Sequence, residues 1–102
     1  MTIGAQNGFQ LETSAPGTLG VSGVLNFDTA AAALLAIQAG LAAGKAAQLD
    51  LAGVSHSDSA GLACVLAAVA AADRHGQVLR VIHMPAGMQA LATVCEVDQL
   101  LR

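Results

Sequence analysis

The chain has 102 residues, with four Lys and Arg against seven Asp and Glu, and a formal net charge of −3. Its few basic residues are scattered, which excludes the Lys/Arg patch that a nucleic-acid-binding protein needs. Hydrophobic residues make up 55% of the chain and charged residues 11%, which excludes intrinsic disorder and predicts a single folded domain over residues 1–102.

The first predicted elements are two strands. Residues 1–8 are expected to form a flexible N-terminus. The segments Phe9 to Ser14 and Thr18 to Leu25 follow, and a turn at Pro16-Gly17 separates them. A Pro-Gly turn between two short apolar segments predicts a hairpin or a bend between neighbouring strands.

An alanine- and leucine-rich run then predicts the first helix. Asp28 is a good N-cap at its start, and Gly44 marks its end. The residues that recur at helical spacing within it are Leu34, Ile37 and Leu41.

A buried strand is predicted over Gln48 to Val54, and a polar loop over residues 55–58 follows it. A second helix is predicted to follow this loop and to run to about His75, with Gly76 past its end. Its apolar residues at i, i+3, i+4 and i+7 are Leu62, Val65, Leu66 and Val69. The candidate caps are Ser57, Asp58 and Ser59.

The last elements are a short strand and a short helix. Val78 to Met84 is predicted as a strand that Pro85 stops. The apolar stripe of the third helix consists of Met88, Leu91, Ala92 and Cys95, and the tail residues expected to dock on the body are Leu100 and Leu101. The order β-β-α-β-α-β-α predicts an α/β fold with a mixed, mostly parallel sheet and helices packed against it.

The sequence also argues against a segment that crosses a membrane. Its two long uncharged stretches, Thr29 to Gly44 and Ser59 to Ala72, are shorter than the roughly 20 residues that span hydrocarbon. Residues 1–10 lack the basic and apolar segments of a secretory signal. We therefore expect a cytoplasmic protein with no direct membrane insertion, in which Cys64 and Cys95 are buried free thiols.

No motif in the chain predicts catalysis, a metal or a cofactor. The histidines His56, His75 and His83 have no Cys or carboxylate at ligand spacing. A serine hydrolase is not predicted either, because the Gly-x-Ser-x-Gly signature is absent. The segment from Ser57 to Leu62 has two interpretations that remain open: it caps the second helix, or it is a recognition or modification site at the helix N-terminus.

The residues of this segment resemble a known family. The string Leu49-Asp50-Leu51-Ala52-Gly53-Val54, followed by Asp58-Ser59-Ala60-Gly61-Leu62, is similar to the central strand and loop of STAS domains. The upstream Val21-Ser22-Gly23-Val24-Leu25, with Asp28-Thr29-Ala30, looks like the second strand and the helix entry of that family. The resemblance covers about residues 9–101 and implies a non-enzymatic STAS fold.

Two branches of the family are candidates. The chain ends after its third predicted helix, and this short form, lacking the final strand and helix, is similar to the STAS subunit of the Mla phospholipid-transport ABC complex. That branch implies an accessory subunit, peripheral at the inner membrane through the ABC ATPase, in a system that maintains outer-membrane lipid asymmetry. The alternative is an anti-sigma-factor antagonist that binds a serine-kinase anti-sigma factor, with Ser59 at the position of its phosphorylated serine and Ala60 at the position of its usual second serine.

The resemblance also suggests which residues meet a partner. Asp58, Ser59 and Leu62 follow from the motif, and the neighbouring residues that complete the expected partner-binding set are His56, Ser57 and Ala63. Ser59 is the candidate phosphorylation or regulatory site. A homodimer formed through an exposed apolar face is a further possibility that the sequence leaves open.

Overall fold

The computed structural model describes residues 2–6, 8–15, 17–44 and 47–101, which form one five-stranded sheet and three α-helices. The strands are β1 (Thr2–Gln6), β2 (Phe9–Ala15), β3 (Thr18–Leu25), β4 (Gln48–Ser57) and β5 (Arg80–Ile82). The helices are α1 (Ala30–Gly44), α2 (Ser59–Arg74) and α3 (Ala86–Val94), and a 3₁₀ turn covers Asp98–Leu101.

The sheet is mixed, with the strands in the order β1-β2-β3-β4-β5. The β1–β2 and β2–β3 pairs are antiparallel, whereas β3–β4 and β4–β5 are parallel. Each parallel pair is connected through a helix, and right-handed crossovers in one direction place α1 and α2 on the same face. These two helices pack against each other. The predicted α/β order is confirmed from β2 to α3.

The core lies between the sheet and the helices. Buried positions alternate along β3, as expected for a sheet covered on one face. The largest fully buried side chains are Leu11, Leu19, Leu25, Ile37, Leu49, Leu51, Met88, Val21 and Val65. Each helix also buries an alanine completely, namely Ala33, Ala68 and Ala92, and such small residues let the helices approach their neighbours closely.

The N-terminal region differs from the prediction of a flexible segment over residues 1–8. Thr2–Gln6 forms β1, which pairs with β2 through backbone partners such as Gln6 and Phe9. The sequence signal of this short strand is weak, because Gly4 and Ala5 are residue types that are depleted in strands. The predicted hairpin is confirmed, because Ala15 pairs with Thr18 across the β2–β3 turn; Pro16 lies outside the described residues.

The strands flanking α2 also have different ends from those predicted. β4 extends through His56 and Ser57, which pair with β3, so residues 55–57 are strand rather than loop. Strands pair through backbone groups, whatever the polarity of their side chains. The strand predicted from the apolar pattern therefore ended too early. β5 begins at Arg80 rather than Val78. It ends at Ile82 rather than Met84 because His83 has a φ of 56°, which no strand residue adopts.

The two cysteines differ in burial. Cys64 is buried, as predicted, and burial raises the pKa of its thiol to about 11. Cys95 is exposed, which corrects the prediction of a second buried thiol. The reason is local: α3 ends at Val94, and Glu96 has a φ of 60°, so the chain leaves the apolar stripe at this point. Of the two tail leucines, Leu101 is buried and docks as predicted, while Leu100 is exposed.

Candidate functional site

The candidate site lies where the parallel strands β3 and β4 end together. Leu25 and Ser57, the last residues of the two strands, are direct partners in the sheet. The next residue, Asp58, donates its backbone N–H to the Leu25 carbonyl at 3.2 Å. This arrangement brings the entry to α1 and the entry to α2 side by side.

Asp58 connects these two helix entries through its side chain. It is the N-cap of α2, and its Oδ1 accepts the backbone N–H groups of Ala60 at 2.9 Å and Gly61 at 3.1 Å. Its Oδ2 accepts the N–H of Phe27 at 3.1 Å, in the turn before α1. The capping interpretation of the Ser57–Leu62 segment is thus confirmed for Asp58, and one carboxylate holds both loops.

The turn before α1 is capped by a different residue from the one predicted. Asn26 Oδ1 accepts the N–H groups of Asp28 at 2.9 Å and Thr29 at 3.2 Å, and Thr29 Oγ1 accepts the Asn26 N–H at 2.9 Å. This reciprocal pattern resembles a capping box. Asp28, the predicted N-cap, is exposed within the turn. Both asparagine and aspartate are good caps, so residue type alone did not separate them.

The first turn of α2 packs directly on the end of β3. Gly61 is buried, and a Cβ added to it would collide with the Leu25 carbonyl oxygen. Leu62, the next residue, is only 4% exposed and belongs to the core. Leu62 was predicted as a partner-contact residue. The structure contradicts this, because the buried side chain of Leu62 is not accessible to a partner.

The other predicted site residues lie at the surface. Ser59 and Ala63 are exposed on α2, His56 is exposed at the end of β4, and Ser57 is partly exposed beside it. Phe27, which the sequence analysis did not select, is 84% exposed next to Asp58. The sequence signal that could have identified it is a large aromatic residue between two polar residues, Asn26 and Asp28, of types that often cap helices. We call the following set the strand-end surface: Phe27, His56, Ser57, Asp58, Ser59 and Ala63.

The carboxylate of Asp58 carries the side-chain hydrogen bonds of the strand-end surface. Among the described residues, no hydrogen bond joins His56 to Ser57 or Ser59, and Asp58 uses its carboxylate on backbone N–H groups. A shallow groove lies beside these residues, lined by Val24, Asn26, His56, Ser57 and Asp58.

A second polar pair lies elsewhere on the sheet. His83 Nδ1 is 3.0 Å from Asp50 Oδ1, which also accepts the Ala52 N–H at 2.9 Å. Partial burial raises the pKa of Asp50, but the hydrogen bond from Ala52 and the contact with His83 outweigh it, and the pKa is lowered from 3.8. Asp50 pairs with Ile82 in β5, seven residues before Ser57 along β4, so the pair is separate from the strand-end surface.

No three His, Cys, Asp or Glu side chains in residues 2–6, 8–15, 17–44 and 47–101 come together as metal ligands would. None of the helices in the same ranges has both the length and the apolar character needed to cross a bilayer.

Comparison with known proteins identifies a family and a fold. The family model described as "Mlab, STAS domain" matches residues 10–102, and no curated protein gives a match. Among solved structures, the Bacillus cell fate determinant SpoIIAA in its phosphorylated form superposes with a TM-score of 0.65 and 16% identity, over 92% of this chain and 88% of that one. The anti-sigma factor antagonist SpoIIAA in its unphosphorylated form gives a TM-score of 0.69 and 15% identity, over 92% and 85%. At these identities the likeness concerns the fold, and the predicted STAS fold is confirmed.

Proposed function

The chain belongs to the STAS domain family, and from this premise we propose that it is a non-enzymatic accessory subunit that docks on the ATPase of an ABC phospholipid transporter. The transporter would be one that maintains outer-membrane lipid asymmetry, and the subunit would lie in the cytoplasm, held at the inner membrane by its partner. The family model described as "Mlab, STAS domain" supports this branch over others. The docking site in this proposal is the strand-end surface.

The observation that carries the proposal is the exposed Phe27 held by the Asp58 carboxylate. Asp58 fixes the backbone on both sides, through Phe27 in one loop and Ala60 and Gly61 in the other. A surface whose backbone is already ordered loses little conformational entropy on binding. Aromatic residues are enriched at protein interfaces, and Phe27, which is 84% exposed, supplies such an anchor.

Co-purification with the ATPase subunit tests the proposal. Ser59→Lys and Phe27→Asp are expected to weaken binding at least about tenfold, because each places a charge where the partner would bury the surface. Val94→Asp is the matched control, since Val94 is 78% exposed on α3, outside the strand-end surface. Leu62→Asp is not a useful variant, because Leu62 is buried and a carboxylate there would unfold the core.

The affinities of all four proteins are measured by calorimetry after circular dichroism shows that each is folded. Equal affinity of Ser59→Lys, Phe27→Asp and Val94→Asp would exclude the strand-end surface as the docking site. A wild-type chain that does not bind the ATPase at all would refute the accessory-subunit function itself.

A second candidate function is that of an anti-sigma-factor antagonist controlled by phosphorylation. It is favoured by the position of Ser59, which is exposed as the first residue of α2. A phosphate there would be attracted by the partial positive charge of the helix N-terminus and repelled by the adjacent Asp58. The fold shared with SpoIIAA, an anti-sigma factor antagonist, supports the same idea.

Mass spectrometry after incubation with a serine-kinase anti-sigma factor and ATP tests this candidate. One added phosphate is expected on the wild-type chain and on Ser57→Ala, and none on Ser59→Ala. An unmodified wild-type mass, or phosphate that persists in Ser59→Ala, would contradict it.

A further inference from the structure

Helix α1 presents an outward face with no charge. None of the residues Ala30–Gly44 is charged, and the helix lacks acidic residues in its first turn. Its exposed residues are Ala31, Ala32, Leu35, Ala39 and Ala42. A surface helix normally carries polar or charged residues on the side away from the core, so an uncharged outer face is typical of a helix that another surface covers.

The largest exposed residue of this face is Leu35, which is 69% exposed. Phe27, Ala31 and Leu35 follow one another at intervals of four, the spacing that places residues on one side of a helix. The helical winding begins before Ala30, because the Ala30 N–H donates to the Asn26 carbonyl at 2.8 Å. We define the α1 face as Ala31, Leu35, Ala39 and Ala42, and it continues directly from Phe27.

The strand-end surface is smaller than one side of a specific protein–protein interface. A specific protein–protein interface takes about 20–30 residues from each partner, whereas the strand-end surface contains six residues, several of them small. A partner seated on Phe27 and Ser59 must therefore cover neighbouring surface as well. One adjoining uncharged apolar surface is the α1 face, which meets the strand-end surface at Phe27.

The charges at the junction indicate the chemistry of the partner. Asp28 and Asp58 are both exposed at the Phe27 end, while the α1 face beyond them is uncharged. We propose that the α1 face is the second half of the docking surface and binds an apolar helix face of the ATPase, with a Lys or Arg of the ATPase beside Asp28. The alanines allow the close approach of two helices. This inference rests on the proposed function.

Calorimetric titration of the ATPase subunit tests the inference. Leu35→Glu and Ala39→Glu are expected to weaken binding at least about tenfold, because each buries a charge in an apolar contact. Asp28→Lys is expected to weaken it as well, and raised salt is expected to weaken the wild-type complex more than the Asp28→Lys complex. Val94→Glu, on α3, is the control for an added exposed glutamate and should leave the affinity within about twofold.

The same experiment separates this inference from the proposed function. If Ser59→Lys weakens binding while Leu35→Glu and Ala39→Glu match Val94→Glu, the α1 face is excluded and the docking function stands. If the wild-type chain does not bind the ATPase, the proposed function fails and this inference fails with it. Sedimentation velocity of the chain alone tests the alternative occupant: a dimer that Leu35→Glu dissociates would show that a second copy covers the α1 face, and would overturn the assignment to the ATPase.

Discussion

Replacing Gly61 by alanine is expected to destabilise the domain by about 2 kcal/mol, although alanine is the better helix former. The added Cβ would collide with the Leu25 carbonyl oxygen and lie 3.1 Å from both the Leu25 carbonyl carbon and Cβ. The carbonyl is held in place, because it accepts the Asp58 N–H at 3.2 Å. Overpacking against such a group costs up to about 3 kcal/mol, and the helix propensity of alanine offsets about 1 kcal/mol of this.

Urea and thermal denaturation measure the effect. Both are followed by far-UV circular dichroism, since the chain has no Trp or Tyr for fluorescence. A loss of about 2 kcal/mol should lower Tm by about 8–16 °C in a domain of this size. Gly87→Ala is the matched control: Gly87 lies in α3 with nothing within 4 Å of an added Cβ, and this variant is expected to gain about 0.5–1 kcal/mol. A Gly61→Ala variant as stable as the wild type would refute the close approach of α2 to β3.

Three further predictions concern single side chains. Asp58→Ala removes three backbone N–H partners and should cost about 1–2 kcal/mol by urea titration; an unchanged midpoint would contradict its role as cap. In thiol titration with an aromatic disulfide at pH 8, the exposed Cys95 should react at once, whereas Cys64, whose pKa burial raises to about 11, should react only on unfolding; simultaneous labelling would refute this difference in burial. Because the pKa of Asp50 is lowered from 3.8, its contribution to stability is present above about pH 4 and lost as the pH falls through the folded-state pKa. Asp50→Asn should flatten the dependence of stability on pH below 4, and a wild-type acid slope in this variant would argue against the Asp50–His83 and Ala52 contacts.

The helices were predictable from the sequence because their apolar spacing is repeated over several turns. Leu34, Ile37 and Leu41 lie on the inward side of α1. Asp58, the observed cap of α2, was one of three candidate caps that residue type did not separate. Helix and strand ends were less predictable. The polar residues His56 and Ser57 do not continue the apolar pattern from which β4 was predicted, so the last residues of this strand were missed. β5 ends at Ile82 because His83 has a φ of 56°, which the sequence does not reveal.

The surroundings of the candidate site were predictable only in part. The Asp58-Ser59 segment was expected between a strand and a helix, as observed, yet motif matching included Leu62 among the contact residues, although its helical spacing with Val65 already indicated the core. Phe27 was missed because its exposure depends on the turn that Asn26 caps and Asp58 holds from 31 residues away. A contact between two loops of a folded chain has no signature in either loop.

The shared carboxylate of Asp58 also limits how this surface can be redesigned. Because one side chain caps α2 and holds Phe27, a change at position 58 alters two segments that are distant in the sequence. If a combinatorial library varied each loop separately, most variants with a changed residue 58 would lose the hydrogen bonds that join the two loops. Libraries that keep Asp58 fixed and vary positions 27, 59 and 63 together should instead yield folded variants with new partner preferences.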